Sequence, residues 1–281
     1  MLTAHCWAKL KSVNIRPIFR TFGFLLIAAS LLLSGCSGEQ DPAATGSGYS
    51  IYRHSMDGAP TSLDPAQASS VYAKFVAVNL YDTLYRYKYL ARPYELTPNL
   101  AEELPQVSAD GLIYTIRIKP GVRFIDDPAF PDGEGRVVTA EDFVYSIKRH
   151  FDPESRAQGA WLWQNRNVGL DDWKEDGADY DQEVAGLRAL DNLTIQIQLI
   201  SPFPQLTHTL TQGYSAVVPR EAVAKYGREF AVHPVGSGPY RLARFDSAGA
   251  VLVRNLAFRQ EPFSLEAEGY DPSTPAQFGL E

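Results

Sequence analysis

The chain has 281 residues, with 26 Lys and Arg against 33 Asp and Glu, a formal net charge of −7. Nucleic-acid binding needs a concentrated basic surface, so an acidic balance argues against that class of partner. Its 15 Tyr, 14 Phe and 4 Trp are enough to fill a core and to line a ligand pocket.

The first 35 residues contain Lys9, Lys11, Arg16 and Arg20 and no acid. Phe22–Leu33 is a short, mostly apolar run, and small residues follow it. Basic flank, apolar core and small residues predict a secretory signal peptide over residues 1–35. The run falls short of the ~20 apolar residues that a spanning helix requires. It ends in Leu33-Ser34-Gly35-Cys36, which resembles the bacterial lipobox. That resemblance implies that Cys36 is the lipidation site, its thiol taking a diacylglycerol and becoming the new N-terminus. The competing reading is an ordinary cleaved signal with a chance cysteine. Acyl chains buried at ~0.8 kcal/mol per CH₂ would hold the protein at a membrane surface. Cys6 would leave with the signal, so neither a disulfide framework nor a Cys metal site is expected. Removing the four basic residues of this segment leaves 22 basic and 33 acidic side chains, a net charge of −11. Residues 36–48 are rich in Gly, Ser, Ala and Thr and read as a flexible tether. The folded part is expected to begin near Tyr49.

Residues 49–55 alternate weakly and predict a strand, followed by a loop containing Leu63-Asp64-Pro65. The apolar spacing from Val71 to Tyr81 predicts a helix with Ser69 or Ser70 as its N-cap. Alternation through Ile116 and Ile118 predicts a strand ending at a Pro-Gly turn. Thr139 opens a helix whose Phe143, Val144, Ile147 and Phe151 share a face, with Glu141 and Asp142 favouring its positive end. Lys148 and Arg149 of this helix are expected in solvent. Asp126, Asp127, Asp132 and Glu134 are expected to form a solvated acidic turn, since their spacing does not fit an EF-hand. Residues 152–186 read as loop or short helix. A strand through Ile195, Ile197 and Leu199 follows, then a short helix between Pro219 and Gly227. Residues 238–255 read as a hairpin turning at Ser247–Gly249. Strands and helices mixed without a strict βαβ rhythm give an α/β or α+β class, with a mixed sheet.

In order and spacing, several segments resemble the extracellular solute-binding proteins of family 5, the oligopeptide- and dipeptide-binding components of ABC importers. They are SLDPAQ at 62–67, LYDTLY at 80–85, TPNLAEELPQVSADGLIYTIRIKPGVRF at 97–124, VVTAEDFVYSIKR at 137–149, GLRALDNLTIQIQL at 186–199, VGSGPYRL at 235–242 and VLVRN at 251–255. The resemblance implies the first lobe of a two-lobed periplasmic-binding-protein fold, a mixed β-sheet flanked by helices, closing on its ligand by a hinge. It further implies that residues 49–262 form this lobe, that 263–281 begin the inter-lobe segment, and that the second lobe is missing.

The resemblance also implies the function: a peptide or related small solute delivered to ABC permease subunits, with the membrane as partner through the lipid anchor. Localisation would be the periplasmic or cell-surface face. No cofactor, metal or nucleic acid is implied. The Leu63-Asp64 loop would lie close to the cleft, and Ser237, Gly238 and Tyr240 near the inter-lobe region, Ser237 standing where Thr is common. Trp161, Trp163 and Trp173 either line the cleft or pack the polar insertion. The run Gly236-Ser237-Gly238 lacks the pattern of a phosphate loop or a nucleophile elbow. The five histidines show no ligand spacing; His54, beside Met56, either approaches a ligand or, as expected here, lies at the surface. A cell-envelope hydrolase and a structural or signalling lipoprotein are the alternatives; the first would need a nucleophile–base pair, and none stands out.

Overall fold

The computed structural model describes residues 50–271 and Ser273. The expected signal peptide, Cys36 and the tether lie outside the described residues. The chain divides into two units after Ser55. In the first, Tyr52 and His54 stack at 6.3 Å, but residues 50–55 form no strand. Alternation makes a segment able to pair, and a strand exists only where a neighbouring backbone meets it.

In the second unit, helix α1 (Val71–Ala77) starts where Ser70 Oγ accepts the Ala73 N–H at 3.0 Å. Strands β1 (Tyr85–Tyr87) and β2 (Leu96–Pro98) form an antiparallel pair. The main sheet contains β3 (Gln106–Val107), β4 (Ile113–Arg117), β5 (Leu187–Ala189) and β6 (Thr194–Gln198), in the order β3-β4-β6-β5. Tyr114 pairs with Ile197 and Ile116 with Ile195, and all four are buried on one face. Helix α2 (Ala140–Lys148) packs on β5 and β6, placing Phe143 and Ile147 in the same core. Its start is fixed by the Asp142 carboxylate, which accepts from Thr139 N at 2.8 Å and Thr139 Oγ1 at 3.1 Å.

Helices α3 (Leu170–Glu175), α4 (Leu206–Thr209) and α5 (Arg220–Tyr226) follow, and a hairpin of β7 (Tyr240–Asp246) and β8 (Gly249–Arg254) completes the described elements. Every strand pairing among the described residues is antiparallel, so the parallel component of the expected mixed sheet is not formed there. The connections explain this for the neighbours in sequence: β3 to β4 and β5 to β6 are joined by tight turns, which can only reverse the chain.

Two charge placements differ from expectation. Lys148 and Arg149 are buried, because the segment after α2 and the 62–68 loop fold over the helix's last turn. Asp127 is buried as well. It accepts from Tyr226 Oη at 2.7 Å and Ala129 N at 2.8 Å and bonds His233 Nε2 at 2.8 Å. Those bonds outweigh burial and hold its carboxyl below the usual range. Asp126, Asp132 and Glu134 are exposed, as a solvated turn requires.

Candidate functional site: an open face on helix α1

The loop before α1 is pinned from three directions. Asp64 forms a bidentate pair with Arg149 at 2.9 and 2.6 Å, both side chains being at most 5% exposed. Asp64 Oδ1 also accepts the Ala66 N–H at 3.0 Å, the Asx-turn role its type allows. The Leu63 N–H donates to Ala231 O at 2.7 Å, and the Gln158 N–H to Ala66 O at 2.8 Å. Leu63 and Asp64 are therefore interior groups that position the loop, and neither side chain reaches the surface.

The other end of α1 is held by Gly236-Ser237-Gly238. The Gly238 N–H donates to Leu80 O and the Tyr240 N–H to Asn79 O, each at 3.0 Å. A Cβ on Gly236 would stand 2.1 Å from Leu80 O, and one on Gly238 2.5 Å from Leu80 C. The glycines thus allow one backbone to lie against another. Ser237 Oγ donates to Asp82 Oδ2 at 2.7 Å, and Arg259 grips the same carboxylate at 2.8 and 3.0 Å. Burial alone would lower the Arg259 pKa, and its bonds to Asp82 and Glu261 more than reverse this. Ser237 and Gly238 are buried in that junction, and Tyr240 remains partly exposed beside it.

Between the two anchored ends α1 buries Ala73, Val76 and Ala77 and turns Val71, Phe75 and Val78 outward. Their spacing puts them on one helix face. Val71 is 74% and Val78 69% exposed, which is costly for apolar side chains left in water. Trp161 lies three residues beyond Gln158 and is 64% exposed, whereas Trp163 is fully buried edge-on against Phe143. Trp163 is thus a core residue, and Trp161 lies at the surface. Of the expected site residues, Trp161 and Tyr240 face outward; Leu63, Asp64, Trp163, Ser237 and Gly238 build the interior beneath.

The outward face of α1 was hidden in the sequence, because its apolar residues look like core. One signal was available: apolar positions occur all round a short helix, more than a single buried stripe needs. Chemically, such a face buries apolar surface and holds no reacting group. Among the described residues no cluster of three His, Cys, Asp or Glu is placed to hold a metal. The Asp127–His233–Tyr226 group includes no Ser, Thr or Lys nucleophile in its hydrogen bonds.

The described residues thus present anchored loops and an exposed apolar face on α1. Residues 95–267 match the sequence profile of the bacterial extracellular solute-binding proteins, family 5 Middle, and the chain belongs to that family. It is 27% identical over 249 residues to the glutathione-binding protein GsiB of Escherichia coli O1:K1 / APEC, covering 88% of this chain and 41% of that protein. GsiB of Pectobacterium atrosepticum is 27% identical over 197 residues, covering 70% of this chain and 32% of the relative. The chain spans between about a third and two fifths of the length of these curated relatives. Among solved structures it is similar to the Escherichia coli murein tripeptide binding protein MppA, with TM-score 0.60 and 27% identity over 72% of this chain and 38% of that one. The pheromone receptor PrgZ, solved for its mode of peptide binding, gives TM-score 0.60 and 25% identity over the same shares. The α/β class read from the sequence is the one these structures share with it over the matched part. Family membership also sets aside the hydrolase reading, since these are binding proteins.

Proposed function

We propose that this chain is the solute-capturing part of a lipid-anchored ABC import receptor, taking a peptide or a chemically related solute and passing it to membrane permease subunits. The observation that carries this is the exposed Val71-Phe75-Val78 face, held between two anchored loops, with the Tyr240 backbone bonded to Asn79 at its end. Apolar surface so placed gains about 25 cal/mol per Å² when a ligand or a closing lobe covers it. The relatives support a peptide-like solute: one is named for glutathione and another for a murein tripeptide. In this reading residues 1–35 are the signal peptide, Cys36 the lipid attachment point and 36–48 the tether. Residues 49–262 form the first lobe and 263 onward the start of the inter-lobe segment. The anchor keeps the receptor on the exported, periplasmic or cell-surface side, where tethering raises its effective concentration at the permease.

A ligand binding only the folded state at a hundred times its Kd stabilises by ~2.7 kcal/mol, or roughly 5–10 °C in a protein of this size. Thermal melts with glutathione and with a short-peptide pool should show such a rise, and Phe75→Asp should abolish it. No rise with either, or an equal rise in the variant, would overturn the assignment of the face. Labelling cells with radioactive palmitate should mark the protein and fail with Cys36→Ser; label surviving that change would exclude Cys36 as the anchor.

A further inference from the structure

A cavity of about 430 Å³ lies away from the α1 face, between α2, α5 and Tyr180. Ligand sites typically span roughly 300–1,000 Å³. Six of its ten lining residues are charged: Arg136, Glu141, Asp142, Lys148, Arg220 and Glu221. Four are already satisfied. Arg136 bonds Asp142 at 2.8 and 2.6 Å and Glu221 at 2.7 and 2.8 Å, while Arg220 pairs with Asp181 at 2.8 Å.

Two opposite charges remain. Lys148 is 2% exposed, and its Nζ donates to Tyr180 O at 3.1 Å and Gln182 O at 2.6 Å, with no carboxylate in bonding range. An ammonium has three donors, so one is not used by these two bonds, and Nζ also lies 5.4 Å from the centre of the Trp173 ring. Glu141 is exposed, and among the described residues its carboxylate forms no ion pair and accepts no hydrogen bond. Glu141, Tyr145 and Lys148 stand at helical spacing along one wall. Seven residues at ~1.5 Å rise separate the two charged positions by about 10 Å. The termini of an extended peptide of about three residues stand about as far apart, at ~3.3–3.6 Å per residue.

We propose that this cavity is a second solute site for a short zwitterion of tripeptide length, its carboxylate at Lys148 and its ammonium at Glu141. Burial holds the Lys148 ammonium below the ordinary lysine range, and Glu141 is the foremost charge acting against that shift. An incoming carboxylate restores the missing counter-charge. The site shares no residue with the α1 face and stands or falls separately from it.

The test is amide NMR of the full chain titrated with trialanine, N-acetyl-trialanine and trialanine amide. Trialanine should give saturable shifts at Glu141, Tyr145 and Ala224, and each blocked peptide should bind about tenfold or more weakly, having lost a charge-assisted bond. Glu141→Gln, a surface change that spares the fold, should make free and N-acetylated peptide bind equally. Absence of saturable shifts at these amides, equal binding of all three peptides, or a Glu141→Gln variant that still prefers the free ammonium would each overturn the proposal. Shifts confined to Val71 and Phe75 would do so too, while supporting the α1 face.

Discussion

Replacing Arg149 with methionine removes the counter-charge of Asp64 and changes little else in volume. In the native protein the two side chains are 5% and 3% exposed and joined by two bonds. After the change the carboxylate keeps only the Ala66 N–H. Stranding one member of a buried ion pair costs about 3–5 kcal/mol. Against a total stability of ~5–15 kcal/mol that is a large share. For a protein of this size it corresponds to a melting point lower by roughly 6–20 °C. Asp64→Asn in the same chain removes the stranded charge while keeping an acceptor for Ala66, so the double variant should recover roughly 1–3 kcal/mol over Arg149→Met. Urea titration followed by circular dichroism measures both, with the m-value showing whether the transition stays comparable. A loss under about 1 kcal/mol, or a double variant no more stable than Arg149→Met alone, would refute the view that this pair fixes the loop before α1.

Three further outcomes follow from the same geometry. Gly238→Ala should destabilise by about 1–3 kcal/mol, since its new carbon meets the Leu80 backbone at 2.5 Å; Gly213→Ala, with nothing within 4 Å, is the matched control and should be nearly neutral. Burial lowers the His150 pKa from 6.5 to about 4, so the unfolded chain binds a proton through that window that the native protein refuses. Stability should therefore fall by about 2 kcal/mol between pH 7 and pH 5, and His150→Gln should flatten this part of the urea-midpoint profile; an unchanged slope would refute it. Below about pH 4.5 both proteins should share a second loss, because Glu221 and Glu268, held below the usual carboxylate range by Arg136 and Arg86, then take up protons.

Patterns made by near neighbours were legible in the sequence. Ser70 capping α1, the 139–148 helix, the strands around Ile116 and Ile195, and the hairpin turning before Gly249 all follow from spacing, cap chemistry and turn residues, which act over a few residues. The order of those segments was also enough to reveal the family. Tertiary structure alone decided which apolar face of α1 meets the core, since both faces carry suitable side chains. It likewise turned Lys148 and Arg149 from surface cations into buried ones, because the covering segments come from residues 62–68 and 180–182. It assigned the glycines of 236–238 to backbone packing against Leu80, and it left Trp161 in solvent while sealing Trp163. Local sequence fixes propensity within a turn or two. Burial of a charge or an apolar side chain depends on what distant chain arrives to cover it, and that is set only when the segments pack.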